Sequence, residues 1–335
     1  MSKLLLLLAC LVTLAASKSS IYFDIEDAVE HFENFIKEHG KEYSSDEEKA
    51  KRFEIFKENL HRANELNQQS EHTEFGITQF SDLTHDEFID SLTGLRSNMT
   101  VGTNLCTMIT DEDVPNVPIP EPYYNWQQND IVSRVKNQRQ CGSCYSFSAT
   151  GNIESQYAMK YGSMVELSEQ QIVDCDIGSH GCSGGLMTSA FSSIIQMGGI
   201  EMESSYPYVA VQQLCLFKPQ PAVVKLTGCY QFNLKSQLKL RQALLSFGPI
   251  SIGVKSSSFH VYRGGVLRDK LCNVGNINHG ILLVGYGVEN GVPYWLAKNS
   301  WGETFGEQGY IKFERGDGRD SCGVMNDLMA SAIVQ

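Results

Sequence analysis

Three short segments of the sequence hold residue types that could act together in nucleophilic catalysis. Cys144 lies in the run CGSCY, His279 lies in NHG, and Asn299 lies in KNSWG. A thiolate at Cys144 could attack a carbonyl carbon, and His279 could pair with that thiolate and then protonate a leaving amine. The side-chain oxygen of Asn299 could accept a hydrogen bond from the other ring nitrogen and hold the imidazole in place.

Gln138, six residues before Cys144, could complete this set. Its side-chain amide and the Cys144 backbone N–H would form an oxyanion hole. Taken singly, each residue type also has a common structural role: a buried Cys is usually inert, a lone His is usually structural, and Asn-Ser is usually a turn. The spacing of Cys141 and Cys144 also fits a redox pair or half of a zinc site.

The segments lie on different predicted elements. Apolar residues at every fourth position predict a helix that begins near Cys144 and ends at Gly162: Tyr145, Ala149, Ile153, Tyr157 and Tyr161. At a helix N-terminus, unpaired N–H groups and the helix dipole favour a thiolate. Strand-like runs follow at Ile281–Tyr286, Tyr294–Lys298 and Tyr310–Phe313. Helices first and antiparallel strands later predict an α+β fold.

Composition excludes some classes of protein. The 335 residues are 42% hydrophobic and 20% charged, which is enough apolar material for a core and too little charge for a disordered chain. A net charge of −12 argues against a nucleic-acid binder. Residues 1–113 carry 10 Lys and Arg against 22 Asp and Glu, whereas residues 114–335 carry 17 of each. The acidic N-terminal third therefore has a separate task from the neutral remainder.

The N-terminus is typical of a secretion signal. Lys3 precedes an apolar run at residues 4–14, and small residues follow up to Ser17. The run is too short to span a bilayer, which needs about 20 residues; a buried N-terminal helix is the alternative. Residues 1–17 are expected to be a signal peptide, so the ten cysteines are disulfide candidates first and metal ligands second.

Two amphipathic helices are predicted after the signal. The first covers Asp24–His39 and stops at Gly40, and the second begins after a capping box formed by Ser45 and Glu48. Residues 97–122 are proline-rich, lack periodicity and contain a glycosylation sequon at Asn98. This stretch is interpreted as the linker between the acidic third and the rest of the chain.

Jointly, the three segments resemble the papain-like cysteine peptidases, the cathepsins. Their signature is C-G-[SA]-C-[WY] with His and Asn far downstream, and here His279 and Asn299 follow Cys144 by 135 and 155 residues. The resemblance implies a two-lobe papain-like fold, with a helical lobe carrying Cys144 and a β-barrel-like lobe carrying His279. It places Gln138 at the oxyanion position and Trp301 over the Asn–His hydrogen bond. Tyr145 departs from the Trp of most relatives, and the signature admits both.

The acidic third resembles the inhibitory propeptide of the cathepsins. The spacing of Glu48, Arg52, Phe56, Asn59, Ala63 and Asn67 is close to the helix motif of the family, and GITQFSD at residues 76–82 is similar to its second motif. Ala63 replaces the Ile typical of cathepsin L and is shared with cathepsin F, and the second motif is also in the cathepsin F style. The run at residues 283–295 resembles the baculovirus viral cathepsins and their insect relatives. The resemblance implies a propeptide at residues 18–113, a mature peptidase at 114–335, and a maturation cut within about 114–119.

The resemblance also implies three disulfides: Cys141–Cys182, Cys175–Cys215 and Cys272–Cys322. Because Cys141 is then engaged, the zinc interpretation loses its ligand pair, and no metal or cofactor is expected. Cys106 and Cys229 lie outside the family set. They could pair and tether the prosegment, or remain free thiols.

The substrate pocket follows from the same resemblance. Gly184 and Gly185 would line the cleft, and the specificity pocket would have an apolar wall made of Leu186, Met187, Gly253, Ile277 and Gly280. Asp327 would form its floor, where a carboxylate could accept Arg beside a main preference for Leu or Phe; a surface role for Asp327 is the alternative. The short stretch after Gly185 has no room for a loop that would block the cleft, so the resemblance implies an endopeptidase.

The expected function is a secreted cysteine endopeptidase that is made as an inhibited zymogen and hydrolyses proteins and peptides at acidic pH through a thiolate–imidazolium pair. It is expected to be a monomer in a lysosome-like compartment or outside the cell, inhibited by its own propeptide and by cystatin-like proteins. Acid is expected to trigger maturation, partly by weakening a Glu48–Arg52 ion pair. The rival interpretation is an inactive relative with a binding or matrix role, which would not need Cys144.

Overall fold

A computed structural model describes residues 21–96, 104–218, 224–272, 275–319 and 321–335. The predicted signal peptide at 1–17 and the sequon at Asn98 lie outside these residues. Within the described part of the chain, no helix combines the length and the apolar character needed to cross a membrane.

Residues 21–96 contain three α-helices and one short strand: α1 (Ala28–His39), α2 (Asp46–Gln69), β1 (Thr73–Phe75) and α3 (His85–Leu92). The first predicted helix starts as a 3-10 turn at Ile25–Asp27 and ends at Gly40, whose φ of 58° suits a residue without Cβ. The Ser45 side chain accepts from the Glu48 N–H, but the Glu48 carboxylate binds Ser44, so the predicted capping box is half formed. An aromatic cluster that includes Phe32, Phe35 and Phe56 joins α1 to α2.

Five α-helices lie in the described residues of the second part of the chain. The predicted helix is α4 (Cys144–Tyr161), which ends at Gly162 with φ 68°. The others are α5 (Glu169–Cys175), α6 (Met187–Met197), α7 (Gln237–Phe247) and the single turn α8 (Asp269–Cys272). Thirteen residues of α4 are buried because the helix is covered on most sides. It is therefore the central helix of its lobe.

Among the described residues, ten strands join in one mixed sheet. Besides β1 they are β2 (Cys106–Thr110), β3 (Tyr124–Asn125), β4 (Leu226–Asn233), β5 (Ile250–Val254), β6 (Tyr262–Leu267), β7 (His279–Glu289), β8 (Val292–Lys298), β9 (Tyr310–Glu314) and β10 (Met329–Val334). The order is β1-β6-β9-β8-β7-β5-β10-β4-β2, and β3 pairs with β7. The predicted strands at 281–286, 294–298 and 310–313 are the central β7, β8 and β9. The α+β prediction is confirmed.

Two apolar cores define two lobes. One contains Tyr145, Ile153 and Phe191 and lies among α4, α5 and α6. The other contains Phe232 and Trp295 and fills the β-rich lobe. The start of α4 contacts the starts of β7 and α6 where the two lobes join. A site formed by residues of both lobes would lie at this junction.

Four disulfides stabilise the chain. Three join Cys141 to Cys182, Cys175 to Cys215 and Cys272 to Cys322, the pairings that the resemblance implies. The fourth joins Cys106 to Cys229, which decides between the two alternatives left by the sequence. Among the described residues, Cys144 is the cysteine without a disulfide partner.

Candidate active site

Cys144 is the first residue of α4 and is fully buried. The Gly280 N–H donates to its Sγ across 3.3 Å. Gly280 is the second residue of β7, so this hydrogen bond joins the helical lobe to the β-rich lobe at the thiol. A Cβ on Gly280 would lie 3.4 Å from the Cys144 carbonyl oxygen, and the small residue therefore permits the close approach.

The β7–β8 hairpin brings His279 and Asn299 together. Leu282 lies opposite Lys298 in this antiparallel pair, so Asn299 falls opposite Ile281, two residues from His279 and on the same face of the sheet. The His279 Nε2 lies 2.8 Å from the Asn299 Oδ1. Because a carbonyl oxygen can only accept, Nε2 carries the proton in this contact. The other ring nitrogen, Nδ1, has no hydrogen-bond partner among the described residues and is the basic atom of a neutral ring.

Trp301 covers this histidine. The two rings stack with centroids 4.5 Å apart and planes at 29°, and the Trp301 side chain is fully buried. Phe259 meets the His279 ring edge-on at 6.4 Å. The aromatic enclosure excludes water from the Asn299–His279 hydrogen bond and thereby strengthens it.

Gln138 is oriented by Ser300. The Ser300 hydroxyl donates to the Gln138 Oε1 across 2.7 Å, which leaves the Nε2 amide group to point at acceptors. That group donates to the Cys141 carbonyl at 2.9 Å and to the Leu92 carbonyl at 3.0 Å. The Gln138 amide, which the sequence analysis assigns to an oxyanion hole, thus donates to a carbonyl of the N-terminal third.

Residues 93–96 lie along the cleft between the lobes. Gly94 accepts from the Gly185 N–H at 2.8 Å, and the Leu95 N–H donates to the Asn278 carbonyl at 2.9 Å. A Cβ on Gly94 would lie 1.8 Å from the Gly142 carbonyl oxygen, so no larger residue fits there without a shift of backbone. The segment therefore seals the thiol from solvent.

The predicted apolar pocket is filled by Leu95, which is 3% exposed and shares an apolar cluster with Leu186, Met187 and Ile277. A Cβ built on Gly253 would lie 2.8 Å from a Leu95 methyl, 2.9 Å from Ile277 and 3.2 Å from the Leu328 Cβ. Ile277, Gly253 and Leu328 thus surround the Leu95 side chain.

The structure does not place Asp327 on the pocket floor. Its side chain is exposed, and its backbone carbonyl accepts from Gln231 at 2.8 Å. The following residue, Leu328, faces Gly253 instead: its Cβ lies 3.2 Å from a Cβ built on Gly253. The pocket is therefore lined at this point by the apolar side chain of Leu328 and not by the carboxylate of Asp327.

Burial keeps the two reactive groups neutral in this covered state. It raises the pKa of the Cys144 thiol to about 11, although N–H groups of Gly280, Gly94 and Tyr145 partly offset the effect. Burial also lowers the pKa of His279 to about 4, against the pull of Asn299. A low-dielectric surrounding disfavours the charged form of each group. Uncovering the cleft removes this penalty from both.

A buried cluster of four charges lies behind the site. Lys136 Nζ contacts Glu154 Oε1 at 2.7 Å and Glu169 Oε1 at 2.6 Å. Lys298 Nζ donates at 2.8 Å to the Ser133 hydroxyl, which in turn binds Glu154. Burial raises the pKa of Glu169 to about 7 and lowers that of Lys298 to about 8.

This cluster connects the elements that carry the site. Lys136 stands two residues before Gln138, Glu154 lies on the helix of Cys144, and Lys298 immediately precedes Asn299. Breaking a buried pair by removal of one partner typically costs about 3–5 kcal/mol, because it leaves an uncompensated charge. The network therefore fixes the three segments relative to one another.

Several contacts were not predicted from the sequence. Ser300, Leu328, Gly94 and Leu95 carry no local signal, because their contacts depend on what lies across the cleft. The predicted Glu48–Arg52 ion pair is wrong: the Arg52 guanidinium instead contacts the Glu87 carboxylate at 2.7 Å and the Asp82 carbonyl at 3.0 Å. Arg52 and Glu48 lie one turn apart on α2, but Arg52 pairs with Glu87 on α3.

Comparison with known families gives two matches. A model of the papain family cysteine proteases matches residues 120–332, and a model of the cathepsin propeptide inhibitor domain (I29) matches residues 32–88. The first match contains Cys144, His279 and Asn299. The second contains α2, most of α1 and the first half of α3.

Known relatives extend over almost the whole chain. It is 40% identical over 329 residues to the viral cathepsin of Spodoptera litura multicapsid nucleopolyhedrovirus, covering 96% of both chains. It is 39% identical to the viral cathepsin of Mamestra configurata nucleopolyhedrovirus, covering 99% of both. Among solved structures, the digestive procathepsin L2 proteinase from the Tenebrio molitor larval midgut matches with a TM-score of 0.84 at 33% identity, covering 91% of this chain and 99% of that one. The procathepsin L 3 of the same larval midgut matches with a TM-score of 0.80 at 35% identity and the same coverage.

Proposed function

The chain belongs to the papain family of cysteine proteases and carries a cathepsin-type propeptide, and we propose that it is a secreted endopeptidase that works at acidic pH through Cys144 and His279. The observation that carries this proposal is the alignment of a free buried thiol, an imidazole held by Asn299 and the Gln138 amide at one junction of the two lobes. The four disulfides are typical of a protein of the secretory route. An acidic, lysosome-like compartment or the extracellular space is the proposed destination.

The proposed reaction begins once residues 93–96 leave the cleft. The Cys144 Sγ transfers its proton to the His279 Nδ1 and attacks the substrate carbonyl carbon. The Gln138 Nε2 and the Cys144 N–H stabilise the resulting oxyanion. His279 then gives its proton to the leaving amine, and water, activated by the same nitrogen, hydrolyses the thioester. Asn299 holds the ring throughout.

Replacement of the nucleophile tests this assignment. We expect Cys144→Ser to lower kcat/KM on peptide substrates by roughly 10³-fold or more, because a serine hydroxyl lacks the preformed anion. His279→Ala should have a similar effect, whereas Asn299→Ala should cost about ten- to hundredfold, since it misplaces the base without removing it. Labelling by a peptide epoxide or vinyl sulfone gives an independent readout.

The Cys144→Ser zymogen also supplies the control. Wild-type enzyme added to it should remove its propeptide at the usual cut, which shows that the variant is folded. Hydrolysis by this variant at the wild-type rate would exclude Cys144 as the nucleophile.

Acid activation is the second part of the proposal, and His260 supports it. This residue of the β-rich lobe is fully buried beneath the propeptide, where Phe88 stacks on its ring at 4.7 Å and the Phe80 carbonyl lies 2.8 Å from its Nε2. Burial, with smaller contributions from Arg62 and His85, lowers its pKa to about 4, while the hydrogen bond to Phe80 and the charge of Asp82 oppose the shift. Within the described part of the chain, its Nδ1 has no hydrogen-bond partner.

The sign of the pH dependence follows from this shift. An exposed His has a pKa of about 6.5. His260 therefore takes up a proton more readily after the propeptide has left, and the bound state loses stability as pH falls from about 6.5 towards 4. Burial also lowers the pKa of His85 and His39, so these propeptide residues act in the same direction.

A non-titrating residue at position 260 tests this mechanism. We expect His260→Gln, which keeps an N–H donor for the Phe80 carbonyl, to move the midpoint of zymogen conversion to lower pH by about half a unit or more. Conversion is followed across pH 4 to 7 on gels, with the pH profile of the mature variant measured separately. His61→Gln is the matched control, because that propeptide histidine is exposed on α2. Identical midpoints for all three proteins would refute the role of His260.

Substrate preference is the third part of the proposal. Leu95 in the zymogen occupies the apolar space between Gly253, Ile277 and Leu328, so an apolar substrate side chain such as Leu or Phe would fit there after the propeptide leaves. A charged guanidinium in the same space would have no counterion from the exposed Asp327.

Two substitutions separate the neighbouring positions. Leu328→Glu should raise the ratio of Arg-Arg to Leu-Arg fluorogenic substrate cleavage by roughly tenfold or more, because a carboxylate in the pocket can pair with a guanidinium. Asp327→Ala should leave this ratio within about twofold of wild type, since its side chain points to solvent. If Asp327→Ala changes this ratio and Leu328→Glu does not, Asp327 forms the pocket floor and the assignment of Leu328 is wrong.

A further inference from the structure

Residues 104–116 connect the inhibitory helices to the catalytic lobes, and a covalent bond holds this connection in place. Cys106 is joined to Cys229, and β2 runs parallel to β4 from this pair to Thr110 opposite Asn233. The expected maturation region, residues 114–119, lies on the C-terminal side of the disulfide. Hydrolysis of a peptide bond there divides the backbone without separating the two parts.

Side chains of the same connection belong to the core of the β-rich lobe. Ile109 is 8% exposed and lies opposite Phe232, and Val114 is 2% exposed in the same apolar core. Loss of this segment would empty the core positions that Ile109 and Val114 fill, and β4, which also pairs with β10, would become the exposed edge of the sheet. The strand is therefore built as part of the catalytic sheet.

Polar contacts lead to the same assignment. The hydrogen-bond partners of this connection lie in the catalytic lobes: Gln231 for Asn104, Ser192 for Leu105, Lys235 for Asp111 and Lys239 for Val114. The inhibitory segment ends before them, with Arg96 bound to the Ser183 carbonyl at 2.9 Å. The structural boundary between propeptide and enzyme thus lies upstream of Asn104.

We propose that the strand from Cys106 to Thr110 remains a permanent part of the active enzyme, and that the cut which frees the active site lies N-terminal to Cys106. A molecule cut only within residues 114–119 keeps its inhibitory helices attached through the disulfide. Because Arg96 and Cys106 are ten residues apart in the sequence, this tether holds the inhibitory segment at high effective concentration beside the cleft. Such a two-chain molecule stays inhibited. The inference rests on the proposed function, since it presupposes maturation by proteolysis.

The test is the composition of the active enzyme after conversion of the zymogen at acidic pH. Free thiols are blocked, and intact masses and N-terminal sequences are measured before and after reduction. We expect an active enzyme that has lost residues 93–96: either its N-terminus lies upstream of Cys106, or it carries a peptide that contains Cys106, lacks residues 93–96 and is released only by reduction. An active enzyme whose Cys106 peptide still includes residues 93–96 contradicts the inference. An active enzyme that begins within residues 114–119 and carries no Cys106 peptide overturns the inference.

Two variants complete the test. In the Cys106→Ser/Cys229→Ser double variant, a cut within residues 114–119 should release the Cys106-side fragment without reductant. The Cys144→Ser zymogen, cut by an added peptidase of another class, gives a result that does not depend on the activity of this chain. Retention of the Cys106 peptide there supports the inference even if the peptidase assignment fails, and its release without reductant contradicts it.

Discussion

The exclusion of water from the Cys144 thiol is the constraint on which the rest of this structure depends. A thiolate and an imidazolium are stable together only where solvent or polar groups can compensate their charges, and residues 93–96 remove that compensation. The same four residues place the Leu92 carbonyl on the Gln138 amide and the Leu95 side chain in the apolar pocket. Inhibition is therefore both steric and electrostatic: the cleft is filled, and its two reactive groups are neutral.

A site that becomes active when a covering segment leaves must already have its final geometry while it is covered. The β7–β8 hairpin fixes the distance between His279 and Asn299, and the buried cluster around Lys136 joins the segments of Gln138, Cys144 and Asn299. These contacts lie behind the cleft and do not involve the propeptide. Release of the inhibitory segment can then change the solvation of the pair without changing its geometry.

Local patterns in the sequence predicted the parts of this structure that local physics determines. The four-residue period after Cys144 gave the helix to within one residue, and Gly162 ended it because a left-handed residue is needed there. The family resemblance located His279, Asn299 and Gln138, which no periodicity could bring together. The predictions that failed concerned which side chains contact each other across two packed elements. Whether Asp327 or Leu328 faces Gly253 depends on the path of the bend that precedes β10. Arg52 pairs with Glu87 and not with Glu48 because α3 brings the Glu87 carboxylate into contact with the guanidinium.

The reactivity of the Cys144 thiol in the intact zymogen tests the central claim most directly. Iodoacetamide reacts with the thiolate, so its rate with Cys144 reports the charge state and the exposure of this group together. At pH 6 to 7, with conversion monitored on the same sample, the account predicts that alkylation of Cys144 in the zymogen is at least about a hundredfold slower than in the processed enzyme. Equal rates in the two forms would show that residues 93–96 neither cover the thiol nor suppress its ionisation, and would contradict the account.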